Sequence, residues 1–487
     1  MQAELDSRAA PLSAAVSRER DESGWRNLSL VRNIKIGTFH IGSSMADILA
    51  SGVWNRIMIK ELGFAATPIA LLLALRYFLA PLSIWIGRRS DLTNWRGYRR
   101  LPYVWGGRLA MALSYVLLGV ATLELAGRYD PWMRDFSFDL MNITVTTNPG
   151  SALGWLGVVT ALVMFSVGST FSSTTFLSLV HDRTPAPQRT RAISVIWFFL
   201  ILGFAVAGVL YSRLLPEYTR DGFLALMLTA PAIMIGIWFF SLVGEEMPIK
   251  RRAEPTAKQH ESFWQTMKQV WASRQTRLFF LFLALTNGLF YTQDVILEPF
   301  AGAVFGMPLS TTNRFSAYWG SMTLLAIVLS LIAIRRFPNR VNNTNLSRWG
   351  VILLVATFVM LTLSAMLYIR PLVTIALVTM GLGLGMWTVG TLGLMMAMTR
   401  AWGAGLYLAL WTVASTLARG SGVALGGLLF DAALVLVGGD QALAYGSVFL
   451  IQSVGFVATL FILARVSLAE FQRETPEREV VFADSIA

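Results

Sequence analysis

Apolar residues in this chain gather into long blocks, and charged residues gather between them. A helix needs about 20 predominantly apolar residues to cross a bilayer. Twelve blocks reach that scale: 33–60, 67–87, 101–126, 151–180, 190–214, 222–243, 277–305, 315–335, 347–369, 371–399, 402–430 and 441–465. The first is the least apolar. The pattern predicts an all-α membrane protein with twelve transmembrane helices.

The connections are unequal in charge. Arg88, Arg89, Arg96, Arg99 and Arg100 fall in 88–100, Arg183, Arg189 and Arg191 in 181–191, and Arg335, Arg336, Arg340 and Arg348 in 335–348. The opposite side holds only scattered cations such as Lys60, Arg128 and Arg220. Basic residues concentrate on the cytoplasmic side of membrane proteins, so both termini are expected there. The polar connection 244–276 divides the chain into a cytoplasmic tail (1–32), a six-helix half (33–243), a linker, a second half (277–465) and a second tail (466–487). Phe263, Trp264, Met267, Val270 and Trp271 recur in the linker at helical spacing, which predicts an amphipathic helix on the membrane surface. Internal similarity supports two halves. Gly87-Arg88-Arg89 answers to Arg335-Arg336-Phe337, Leu62-Gly63-Phe64 before Thr67-Pro68 to Phe305-Gly306-Met307-Pro308, and 168–183 to 385–400. Two parallel, pseudo-symmetric six-helix halves are the layout of the major facilitator fold.

Composition agrees, with 55% hydrophobic residues, 14% charged and a mean hydropathy of +0.58. The net charge of +12 is largely accounted for by the basic connections. It predicts contact with anionic lipids rather than nucleic acid. There is no cysteine, which excludes disulfides and thiolate chemistry. The first thirty residues hold no apolar signal segment. No phosphate-binding loop, catalytic triad or metal-ligating cluster is visible, so no catalytic residue and no metal site is assigned.

Charges inside the blocks are costly in a bilayer and mark partners or polar paths. Asp47 and Arg76 lie near the middle of the first two blocks and are expected to pair. The plainer reading is a lock between two helices, and the functional one a protonatable switch. Asp294 and Glu298 stand four residues apart, on one face if the helix is continuous. Arg56 and Glu298 are expected to meet across the two halves and close the outer side, and Asp294 to pair with Arg419. Glycines at 381, 383, 385, 390, 393, 420, 422, 426 and 427 allow close helix approach. His40, followed by small residues, and His181 carry imidazoles able to ligate the magnesium of a chlorophyll, although a hydrogen-bonded structural role is the plainer reading.

Two segments carry a family resemblance. Gly87-Arg88-Arg89-Ser90-Asp91, followed by Gly97-Tyr98-Arg99-Arg100-Leu101-Pro102-Tyr103, resembles the gate loop of major facilitators and, more narrowly, that of the PucC/LhaA or bacteriochlorophyll delivery family. Gln293-Asp294-Val295-Ile296-Leu297-Glu298-Pro299-Phe300 is similar to a signature of the same family, with Phe300-Ala301 where Tyr-Gly is usual. The resemblance covers roughly 33–470. It implies that Gly87, Asp91, Arg99 and Arg100 brace a cytoplasmic gate. It also implies a non-enzymatic assembly factor of light-harvesting antenna complexes in the cytoplasmic or photosynthetic membrane of a phototrophic bacterium. Bacteriochlorophyll, antenna polypeptides and enzymes of pigment synthesis would be its cofactor and partners. A proton-coupled transporter of a small amphipathic solute is the alternative, and an enzyme of late pigment synthesis a third reading.

Overall fold

The computed structural model describes residues 29–92, 95–127, 136–140, 143–147, 149–184, 188–246, 271, 273–338, 340–398 and 404–474. Among them, ten helices are long and apolar enough to cross a membrane. They correspond to segments 3 (Leu101–Gly127), 4 (Pro149–Arg183), 5 (Arg189–Leu214), 6 (Arg220–Leu242), 7 (274–305), 8 (309–336), 9 (Asn343–Leu367), 10 (Pro371–Met398), 11 (Ala404–Leu436) and 12 (Gln441–Leu463). Segments 1 (30–61) and 2 (66–92) are helical but interrupted. Segment 2 consists of Ala66–Phe78 and Ala80–Leu92, and segment 1 passes from α-helix into π-helix at Leu49–Trp54 and again at Ile57–Glu61. One two-stranded antiparallel hairpin, Phe136–Leu140 with Ile143–Thr147, departs from the all-α expectation. Most of the expected amphipathic linker helix falls outside the described residues.

Packing repeats between the halves. Segment 3 lies along segment 4 as segment 9 lies along segment 10, and segments 1 and 7 contact segments 5 and 11 respectively. Glycines permit the closest approaches. A side chain at Gly168 would strike the Gly107 carbonyl at 2.6 Å, and one at Gly383 the Gly350 carbonyl at 2.9 Å. Without a hydrophobic drive between helices in lipid, such backbone proximity and interhelical hydrogen bonds supply much of the adhesion. The halves meet through segments 2 and 11 and through segments 5 and 8.

The repeated Leu62-Gly63 and Phe305-Gly306 motifs have one physical cause. Gly63 and Gly306 adopt φ of 73° and 62°, the left-handed conformation that ends helices. The amide two or one residues beyond then reaches back six residues, Phe64 to Met58 and Met307 to Ala301.

Candidate functional site

Segment 7 does not run as one α-helix through its two carboxylates. Pro299 has no N–H to give the Val295 carbonyl, and its ring crowds that carbonyl. The helix therefore yields to a 3-10 turn at Gln293–Val295 before resuming as Leu297–Phe305, with Pro299 inside the new first turn where it is tolerated. Segment 1 satisfies the stranded carbonyl: Asn55 Nδ2 donates to Val295 O at 2.7 Å. The break also parts the roles of Asp294 and Glu298, which the uninterrupted reading placed on one face.

Asp294 accepts from Gln293 Nε2 at 2.8 Å and lies 3.7 Å from the Arg419 guanidinium. Asp47 pairs with Arg76 at 2.5 Å. Both expected pairings are therefore present, and Tyr77 joins them. Its hydroxyl accepts from Arg76 Nη2 at 2.5 Å, while Arg419 lies over its ring at 4.9 Å and over the Tyr291 ring at 4.0 Å. The result is a chain of alternating charge, Asp47–Arg76–Tyr77–Arg419–Asp294, built from segments 1, 2, 7 and 11. It spans the junction of the two halves. Nothing in the sequence singled out Tyr77 or Tyr291, because aromatics within an apolar block read as core.

Arg56 and Glu298 are not brought into an ion pair. The Arg56 guanidinium instead donates to Thr312 Oγ1 and, at 2.6 Å, to the Met307 carbonyl, and lies 3.4 Å from Glu61. The carbonyl end of segment 7 attracts a cation, and Gly302 leaves room for it: a Cβ there would meet Arg56 Nη2 at 2.7 Å. Glu298 is buried facing Gly52, with no cation within 4.0 Å among the described residues. Nearby, Asp431 of segment 11 accepts from the Ala66 and Thr67 amides at 3.0 and 2.7 Å, capping segment 2 across the halves. Asn313 Nδ2 donates to Tyr211 O at 3.3 Å, joining segments 8 and 5. These contacts close the end opposite the basic connections.

At the basic end, Arg100 is 2.5 Å from Asp91 and 3.1 Å from Asp182, and donates to Ser90 Oγ at 2.6 Å. Arg99 donates to the Asp91 carbonyl at 2.9 Å. Gly87 faces Thr174 of segment 4, with room for ordinary contact. The sequence reading missed Glu245 and Glu246. Glu246 accepts from the amides of Arg99, Arg100 and Leu101, neutralising the start of segment 3. Glu245 holds Arg32 and Lys35 at 2.8 and 3.1 Å.

The two histidines differ. His181 is exposed at the end of segment 4, 3.8 Å from Asp182. His40 packs edge-on against Phe39 and Phe176, and both of its ring nitrogens are buried without a hydrogen-bond partner. Magnesium ligation requires an imidazole nitrogen open to the metal, and neither nitrogen of His40 is open in this conformation. Among the described residues no group of three or more His, Asp or Glu could hold a metal ion.

A model of the PUCC protein family matches residues 53–471. The chain belongs to that family. Among its PUCC relatives, Protein PucC of Rhodovulum sulfidophilum is 25% identical over 425 residues, covering 84% of this chain and 87% of the relative. A Rhodobacter capsulatus protein named bacteriochlorophyll synthase 44.5 kDa chain is 26% identical over 459 residues, 91% and 94% of the two chains. Among solved structures, a POT family transporter in complex with a thioalcohol-conjugated peptide superposes with a TM-score of 0.63 at 13% identity, covering 90% of this chain and 96% of that one. A bacterial homolog of the human lysosomal transporter Spinster, inward-facing and unoccupied, gives 0.61 at 13% identity over 92% and 96%. At such identities the likeness speaks for fold alone: this PUCC protein has the major facilitator architecture of membrane transporters.

Proposed function

We propose that this PUCC protein is a non-enzymatic assembly factor of bacterial light-harvesting antenna complexes that binds or delivers bacteriochlorophyll to antenna polypeptides. The observation carrying the proposal is the family match over 53–471, with relatives named PucC and one named for bacteriochlorophyll synthesis. The central geometry supports it. Asp47 and Asp294 are both held by arginines, so the charges at the junction suit a latch between halves better than free coupling acids. Because His40 is sealed, no step is routed through magnesium. The residues bracing the basic end, Gly87, Asp91, Arg99 and Arg100, serve as the gate between the central path and the cytoplasm. Antenna polypeptides, pigment-synthesis enzymes and anionic lipids are the partners, in the cytoplasmic or photosynthetic membrane with both termini inside.

Deleting the gene should deplete antenna absorption in a pigmented host and leave pigment synthesis running. Unchanged antenna levels would overturn the assembly role. One feature favours a second reading, proton-coupled transport of an amphipathic solute: Glu298 is a buried carboxylate without a cationic partner. Proton-driven uptake into proteoliposomes that is lost in Glu298→Gln would replace the first reading with this one.

A further inference from the structure

Arg108 sits in segment 3 about 10 Å from its basic end, seven residues at 1.5 Å each. It is 2% exposed, and no carboxylate lies within ion-pair distance of it among the described residues. Its Nη1 faces only the Met111 sulfur, at 3.4 Å, and its Nε has no partner. Asp47, the carboxylate whose charge reaches it, is already held by Arg76 at 2.5 Å. A buried cation left without an opposite charge is strongly unfavourable, so such a residue signals a missing anion. The walls around it are aromatic: the guanidinium lies 4.2 Å from the Phe39 ring centre and 4.6 Å from that of Trp238. His40, with both nitrogens idle, leans on the same Phe39 ring at 5.6 Å.

We propose that Arg108, flanked by Phe39, Trp238 and His40, is the binding site for the carboxylate of a flat, membrane-soluble amphiphile. The carboxylate satisfies the free guanidinium edge, His40 supplies a second polar contact, and the ring faces receive the planar body. Entry is from the basic end. A shallow crevice lined by Ile36, Leu179, Ser241 and Leu242 ends at Phe176, which stacks on Phe39 at 3.7 Å and closes the site. Rotation of that one ring joins the crevice to Arg108. The proposal deepens the assembly reading and rests on it for the choice of a flat body. For a chlorin, it selects the form with a free propionate over its ester.

The test uses the full-length protein in mild detergent, with pyropheophorbide a and its methyl ester titrated by difference absorption. A charge-assisted contact of this kind gives the acid an advantage of at least about tenfold. Arg108→Gln should bring the acid-to-ester ratio to near one while leaving ester affinity unchanged, and Arg108→Lys should recover part of the preference. Equal binding of acid and ester by the wild-type protein would overturn the site, and that comparison stands even if the variants fail to fold. Retention of the full preference by Arg108→Gln would overturn it equally. Oleate competing as tightly as the chlorin acid would assign the carboxylate to an acyl amphiphile and overturn the flat body. None of these readings depends on antenna levels in the deletion strain, so the site and the assembly role fail separately.

Discussion

At the scale of single residues, the buried charges are arranged so that each removal exposes another. Asp47 and Arg76 are mostly withdrawn from solvent, with side chains 26% and 10% exposed. Breaking one partner of such a pair strands the other, which costs about 3 kcal/mol. Asp47→Asn is therefore expected to lower the melting temperature in detergent, followed by size-exclusion fluorescence, and Asp47→Asn with Arg76→Met to recover most of the loss. A double variant as unstable as the single one would refute the pairing. These pairs were legible in the sequence because a charge in mid-span needs an opposite charge at similar depth, and few were available. Tyr77 was not legible, since its value lies in standing between two arginines that only the fold brings together. Arg108 was legible by the same rule that exposed Arg76, as an arginine inside an apolar block, and was passed over.

Among the elements, segment 7 depends on a residue in another helix. The Val295 carbonyl orphaned by Pro299 is answered by Asn55 alone among the printed partners of that break. Asn55→Leu leaves it unsatisfied and is expected to cost about 1–3 kcal/mol. Adding Pro299→Ala returns an N–H to position 299 and should offset part of that cost. Thermal melts of the four proteins form a cycle, and strict additivity would argue against the link. Gly306, at φ 62°, makes a simpler case: Gly306→Ala should cost about 1–2 kcal/mol through left-handed strain alone. The sequence displayed this element's parts, Asn55, the proline and the glycine, as a family signature. It hid their logic, because the missing hydrogen bond and its replacement are 240 residues apart. The same distance explains the failed Arg56–Glu298 pairing: depth and symmetry put the two close, but Thr312 and the Met307 carbonyl are nearer and better placed.

Across the whole molecule, hydrophobic blocks and their echoes were enough to reveal a major facilitator architecture, since bilayer thickness sets the block length and duplication sets the repeat. They gave no information on which end is closed. The halves are tied together at the end opposite the basic connections, where segments 5 and 8 touch closely enough that a Cβ on Gly208 would meet Ser316 Oγ at 2.5 Å. The chain has no cysteine of its own. Gly208→Cys with Ser316→Cys should therefore form a disulfide on oxidation, and if the halves must part there in function, the oxidised protein should fail to restore antenna absorption in the deletion strain. Reduction should return it. Full complementation by the cross-linked form would show that this end stays shut throughout. Segment 1 has a special place in any such movement. It grips the first half at Asp47, through Arg76, and the second half at Asn55 and Arg56, and the π-helical stretch Leu49–Trp54 lies between those two grips. There the Asn55 amide bonds back to Ala50, five residues away, so the stretch stores one residue more than an α-helical ladder needs. Passing that spare residue beyond Asn55 turns one grip relative to the other by about 100°, the angle of a single helical step. Segment 1 is in that sense a swivel, with each half of the protein fastened to a different side of the joint.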